Sequence, residues 1–264
     1  MTASRSFDTL LIEKSGSIAQ ITLNRPHVLN ALNRQVIVDL IAAMEKLRAD
    51  DAIRGIILTG SGDTAFAVGA DIDELRRLTA SQAEVLARDG QALMTLIESL
   101  GKPVIAALNG YAIGGGCELA LACTMRVAAE HARFAQPEVR IGFIPGFGGT
   151  QRLPRLIGKG RALQMILSGD MMDAQEAYRI GLVDEIVSKE KLIDRAEAIL
   201  WTISTNAPMA IRFALEAVNN GMEMTRAQGL ELEAALFGRA AAAEDAKEGI
   251  AAFLERRKPR FTGR

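Results

Sequence analysis

The 264-residue chain is poor in several residue types, and each shortage removes a class of function. Its two cysteines, Cys117 and Cys123, stand six positions apart. They cannot build the disulfide framework of a small secreted domain and fit reduced thiols in a cytoplasmic protein. Its two histidines, His27 and His131, come with no HExxH, so the usual zinc signatures are missing and no metal is expected. With 31 basic against 32 acidic residues the formal net charge is -1, which offers no footprint for nucleic acid or an anionic membrane. No apolar run approaches the roughly 18 residues of a membrane span. The opening MTASRSFDTLLIEKSG has no signal-peptide apolar region and reads as a short disordered lead into a strand. GxSxG is absent, and Gly158-Lys159 is followed by Gly160 where a phosphate loop needs Ser or Thr. Gly146 to Gln151, GFGGTQ, lacks the last glycine of a dinucleotide fingerprint and follows Pro145 instead of a strand.

What is there is a globular composition, 49% hydrophobic and 24% charged, able to bury a sizeable core. Thr9 to Glu13 and Ile18 to Leu23 around Ser15-Gly16 predict an opening hairpin. Val36, Ile37, Leu40, Ile41, Met44 and Leu47 form a helical stripe, and Arg54 to Thr59 reads as a buried strand. Phe66 to Leu75 is a loop-to-helix transition, followed by a helix over about 81–100. Pro103 to Leu108 is a second buried strand. After it come short strands over 125–129 and 133–135, helices over about 160–167 and 174–179, and a strand over 182–187. From Lys189 onward strand candidates disappear, and four helices are expected, over 193–204, 208–219, 226–242 and 245–257. Alternating strands and helices followed by an all-helical tail make an α/β chain, divided here into a core over 1–200 and a helical region over 201–264.

The chemistry concentrates in Lys102 to Ala122, KPVIAALNGYAIGGGCELALA. Asn109-Gly110 supplies turn residues that tolerate positive φ. Gly114, Gly115 and Gly116 then lead into a helix start, where amides have no intrahelical acceptor and the dipole is positive. Glu118 sits just inside that helix as an acid or base beside a hole for a polarised oxygen. Alone, the same residues also read as a glycine turn with a glutamate steadying a helix end. A second glutamate, Glu138, stands beside another glycine cluster twenty residues on; by itself it also reads as a surface carboxylate after Pro137.

Four segments carry a resemblance when taken together and in order. FAVGADIDEL, NGYAIGGGCELALAC, FAQPEVRIGFIPGFGGTQRL and EDAKEGIAAFLERRKPRF resemble the enoyl-CoA hydratase/isomerase (crotonase) superfamily nearly end to end. The resemblance implies a crotonase-like spiral of ββα units with a C-terminal all-helical trimerisation region, as a trimer or a dimer of trimers. It implies an acyl-CoA substrate, no cofactor beyond the coenzyme A of the substrate, and neither nucleic acid nor membrane as partner. The backbone N–H groups of Ala70 and Gly115 would form the oxyanion hole for the thioester carbonyl. Val68, Ala70 and Ile72 would line the adenine site, largely through main-chain atoms. Asp71 and Gly114 would also contact the substrate or its CoA, and Gly146 would pack close to the reacting water or acyl chain. Glu118 and Glu138 match the two catalytic glutamates of the hydratases, with Glu118 drawing a proton from water and Glu138 delivering one to the α-carbon. Isomerases of the superfamily usually lack the first glutamate, so the pair favours reversible hydration of a 2-enoyl-CoA. The alternatives are an isomerase, a specialised acyl-CoA dehydratase, or a non-catalytic RNA-binding relative, which the near-neutral charge disfavours.

Two positions depart from the family pattern. His27 stands where many members carry a lysine near CoA phosphates, and Thr124 where members often have aspartate. Phe66, Met94 and Phe143 are expected in the core, with substrate specificity as the alternative. Arg256, Arg257, Lys258 and Arg260 read as a solvated basic end, with a CoA phosphate as the functional alternative.

Overall fold

Short apolar strands punctuated by glycine loops can bury both faces only if they stack in layers. The computed structural model, which describes residues 7–264, shows how this chain does so. The lead expected before residue 7 lies outside the described residues. Strands β1 (Leu10–Ser15) and β2 (Ile18–Leu23) form the opening antiparallel hairpin, and α1 (Arg34–Arg48) follows. Then come β3 (Gly55–Gly60), β4 (Ala65–Ala67), α2 (Ile72–Leu75) and α3 (Ala80–Glu98). The next unit is β5 (Val104–Leu108), β6 (Tyr111–Ile113) and α4 (Gly115–Ala122). It is followed by β7 (Met125–Ala129), β8 (Arg133–Ala135), α5 (Gly149–Ile157) and α6 (Lys159–Ser168). The last strands, β9 (Met172–Asp173) and β10 (Glu185–Val187), flank α7 (Ala174–Arg179).

The opening hairpin places both of its strands in one sheet, whereas the β3-β4, β5-β6 and β7-β8 pairs each give the first strand to that sheet and the second to another. One sheet runs β1-β2-β3-β5-β7-β10 and the other β4-β6-β8-β9. Pairing along β2, β3, β5, β7 and β10 is parallel, with Ile57 opposite Ile105 and Ala107 opposite Val127. This is the spiral of ββα units. The central strands β3 and β5 are buried on both faces, which is why they read as nearly continuous hydrophobic runs. Ile56, Leu58, Val104 and Ala106 face the main core, whereas Ile57, Ile105 and Val127 face α8 (Leu192–Ser204) through Leu192, Ala196 and Leu200. The residue-200 boundary expected from the sequence falls inside α8. Helices α9 (Pro208–Gly221), α10 (Arg226–Ala242) and α11 (Glu244–Leu254) complete the tail.

Three short strands, β4, β6 and β9, escape the sequence reading, β4 and β6 because each runs straight into a glycine-rich loop. The strand expected over 182–187 shrinks to β10. Asn109-Gly110 also works differently from the expectation, since neither residue has positive φ. The Asn109 amide instead bridges to Gly60, accepting from its N–H at 3.1 Å and donating to its carbonyl at 2.9 Å. Gly110 is needed because a Cβ there would lie 2.1 Å from the Thr64 carbonyl oxygen. Phe66 and Met94 are fully buried, but Phe143 is exposed at the mouth of a cavity.

Candidate active site

The ends of β4 and β6, the start of α4 and the loop before α5 enclose one cavity of about 510 Å³. Gly114 opens this geometry. Its φ of 54° is a left-handed conformation that favours glycine, and a Cβ would meet Glu138 Oε1 at 2.8 Å. Gly116 lets α4 press onto β4, where a Cβ would fall 2.0 Å from the Ala67 carbonyl oxygen. The first turn of α4 therefore sits against the loop after β4. A Cβ on Gly69 would lie 3.2 Å from the Gly115 nitrogen. The Ala70 amide is aimed by pairing. Leu32 donates to the Gly69 carbonyl at 2.7 Å and accepts from Asp71 at 3.3 Å, so Ala70 turns its own N–H to the other side of the strand.

Glu118 is 1% exposed on α4. Its Oε1 accepts from the Phe147 amide at 2.8 Å and the Gly149 amide at 2.6 Å, leaving Oε2 for another partner. Glu138 projects from a short 3-10 turn after β8, where Pro137 ends the strand. With its nitrogen turned toward Glu138, the fully buried Gln136 amide reaches both carboxylate oxygens at 3.1 Å. Burial, the largest influence, pushes Glu118 up to about 7; the Gly149 amide opposes it, Glu138 adds to it, and the Phe147 amide and Arg152 pull it down. Burial likewise pushes Glu138 up to about 7, its own backbone amide opposing. Two carboxyls poised near neutrality in one largely apolar cavity can pass protons to and from a bound molecule.

The sequence matches the enoyl-CoA hydratase/isomerase family over residues 13–264. The chain belongs to that family. It is 43% identical to the crotonyl-CoA hydratase of Syntrophomonas wolfei subsp. wolfei, over 97% of this chain and 98% of the relative. It is 41% identical to a short-chain-enoyl-CoA hydratase of Clostridium acetobutylicum, over 95% of this chain and 96% of the relative. The crystal structure of an enoyl-CoA hydratase from Bacillus anthracis superposes with a TM-score of 0.94 at 38% identity, covering 97% of this chain and 100% of the other.

Of the residues expected at the site of a family member, Val68, Ala70, Ile72, Gly114, Gly115, Glu118, Glu138 and Gly146 all line the one cavity. Asp71 does not. Its carboxylate accepts from Asp73 N–H at 3.2 Å to cap α2 and pairs with Arg25 at 3.2 Å, which steadies the Ala70 loop from behind. His27 is exposed in a 3-10 turn and does not line the cavity. Thr124 accepts from the Val104 amide at 3.0 Å, so a hydroxyl oxygen can serve a local acceptor role at this position. Of the basic end, Arg257 is held by Glu248 at 2.6 and 2.9 Å and by Glu255 at 2.6 Å.

Sequence reasoning missed Phe147, Gly149, Gln136 and Arg152. The GFGGTQ cluster, unfit for a dinucleotide, presents its amides to Glu118 instead. Arg152 binds Glu98 through two 2.7 Å hydrogen bonds and donates to the Phe147 carbonyl at 3.1 Å, bracing the loop that holds Glu118. The signal for these residues lay in the glycine spacing, but what the glycines approach is a property of the fold.

Proposed function

We propose that this chain reversibly hydrates a 2-enoyl-CoA to a 3-hydroxyacyl-CoA, adding water in the syn sense. The observation that carries the reading is the convergence of Glu118 and Glu138, both pushed to about 7, on one cavity lined also by Ala70 and Gly115. The names of the relatives at 41–43% identity support the same substrate class. In this reading the thioester carbonyl accepts from the Ala70 and Gly115 amides. Water loses a proton to Glu118 as its oxygen bonds to the β-carbon. The double-bond electrons move onto the thioester, giving an enolate whose oxyanion the two amides stabilise; removing one such donor costs about 3 kcal/mol. Glu138 then delivers its proton to the α-carbon, and dehydration reverses each step. Two amide donors favour Glu118 as the carboxylate. Both glutamates acting from one face of the substrate would make the addition syn.

No cofactor is needed besides the coenzyme A of the substrate. The exposed apolar faces of α10 and α11 would pair with copies of this chain as a trimer or dimer of trimers, and a cytoplasmic setting fits the buried free thiols. The test is loss of the conjugated thioester absorbance of crotonyl-CoA, comparing wild type with Glu118→Gln and Glu138→Gln. Hydration that falls about 10²–10⁴-fold in each folded variant supports the reading. Isomerisation of a 3-enoyl-CoA without hydration of any 2-enoyl-CoA would replace it with the isomerase alternative.

A further inference from the structure

Acyl length is left open by two glutamates and two amides, and the inner wall of their cavity bears on it. The ring of Phe147 is trapped between two helices. A Cβ on Gly90 of α3 would lie 2.2 Å from its Cδ1, and a Cβ on Gly115 of α4 would lie 3.1 Å from its Cδ2 and Cε2. A glycine in the interior of a helix is disfavoured relative to alanine, and here the ring occupies the space a side chain would take. The main chain beneath the ring is held as well, since the Phe147 N–H donates to Glu118 at 2.8 Å. Beside it, Gln91 Nε2 donates to the Gly146 carbonyl at 2.9 Å and closes the seam between α3 and the loop.

Behind that seam lies a second cavity of about 950 Å³, between α3, α5 and α9. The two cavities share Gln91, Pro145 and Thr150 in their linings. Phe147 lines the first cavity and not the second, so its ring belongs to the first cavity's inner wall. We propose that Phe147, seated on Gly90, is the acyl-length determinant: its ring ends the acyl pocket at short chains and excludes longer ones. This rests on the enoyl-CoA reading above. A packed ring wedged against two backbones has no room to yield methylene by methylene, so the cut-off is steep.

The experiment compares kcat/KM for crotonyl-CoA, trans-2-hexenoyl-CoA and trans-2-decenoyl-CoA in wild type, Phe147→Ala and Phe147→Leu, with thermal melts to confirm folding. Both variants keep the backbone N–H that holds Glu118. Wild type is expected to lose efficiency steeply with chain length. In Phe147→Ala the ratio of decenoyl to crotonyl efficiency is expected to rise about tenfold or more, with Phe147→Leu between the two. If the alanine variant does not fold, the leucine variant decides by the direction of its ratio. Ratios unchanged from wild type, or a wild type that hydrates the long substrate as efficiently as the short, overturn the proposal. Absence of hydration in wild type with all three substrates overturns instead the reading on which it rests.

Discussion

At the scale of single residues, the two glutamates carry opposing demands. Both sit where a carboxylate loses water contact, and burial pushes each up to about 7 from an ordinary value of 4.5. For such a group the native state holds its proton while the unfolded chain gives it up. No penalty exists below the unfolded value near 4.5. Stability falls as the pH rises toward 7, and the loss is complete above it. Glu118→Gln and Glu138→Gln should each therefore be more stable than wild type at pH 8, on the order of 1 kcal/mol or more, with the difference vanishing below pH 4.5. Urea midpoints across pH 4–8 measure this. A gain independent of pH would show that the carboxyls are not strained by burial. On the proposed function the same variants are expected to lose hydration, and for Glu118 the charge that destabilises the fold would be the charge that draws the proton from water.

At the scale of elements, α4 illustrates how close approach replaces side-chain chemistry. All eight of its residues are buried, and its first turn lies on β4 because Gly116 has no Cβ. Gly116→Ala should cost about 2 kcal/mol or more, since the obstacle is the Ala67 carbonyl and not a flexible side chain. The readout is the denaturation midpoint; a neutral result would mean that α4 can ride away from the strand without loss. The C-terminal strap is a second case. Asp245, 2% exposed at the start of α11, accepts from Thr262 N–H at 2.7 Å and Gly263 N–H at 2.8 Å. Deleting 261–264 strips both donors from a buried carboxylate and should destabilise the protein by about 3 kcal/mol. Adding Asp245→Ala to the truncation should restore part of that loss if the orphaned charge is the cause.

At the scale of the whole molecule, the tail leaves apolar side chains facing outward. Phe237 is 77% exposed and Phe253 84%, with Leu254 and Ile250 beside the latter. On the proposed self-association, these faces of α10 and α11 would form the surface between copies of the chain. Phe237→Asp and Phe253→Asp together should shift the protein to a smaller species in light scattering, and an unchanged mass would place the interface elsewhere. Legibility also varies with scale. The sheet strands β3 and β5 were readable because burial on both faces makes their sequence nearly continuously apolar, and β2 because its apolar residues alternate with Gln20 and Thr22. The four tail helices were readable because their stripes recur over several turns. Strands β4 and β6, which shape the cavity, were not, because each runs straight into a glycine-rich loop.

From sequence alone came the alternating α/β body, the helical tail, the glycine-flanked helix start and the paired glutamates, all of which depend on local order along the chain. Tertiary structure alone decided that Asp71 caps a helix behind the site and that Phe143 stands at its mouth. It also decided that Gly149 and Phe147 hold Glu118, that Gln136 faces Glu138, and that a phenyl ring closes the pocket on Gly90. Each of these depends on which atoms approach across long stretches of sequence. A glycine announces that something may come close, and only the packed fold says what does.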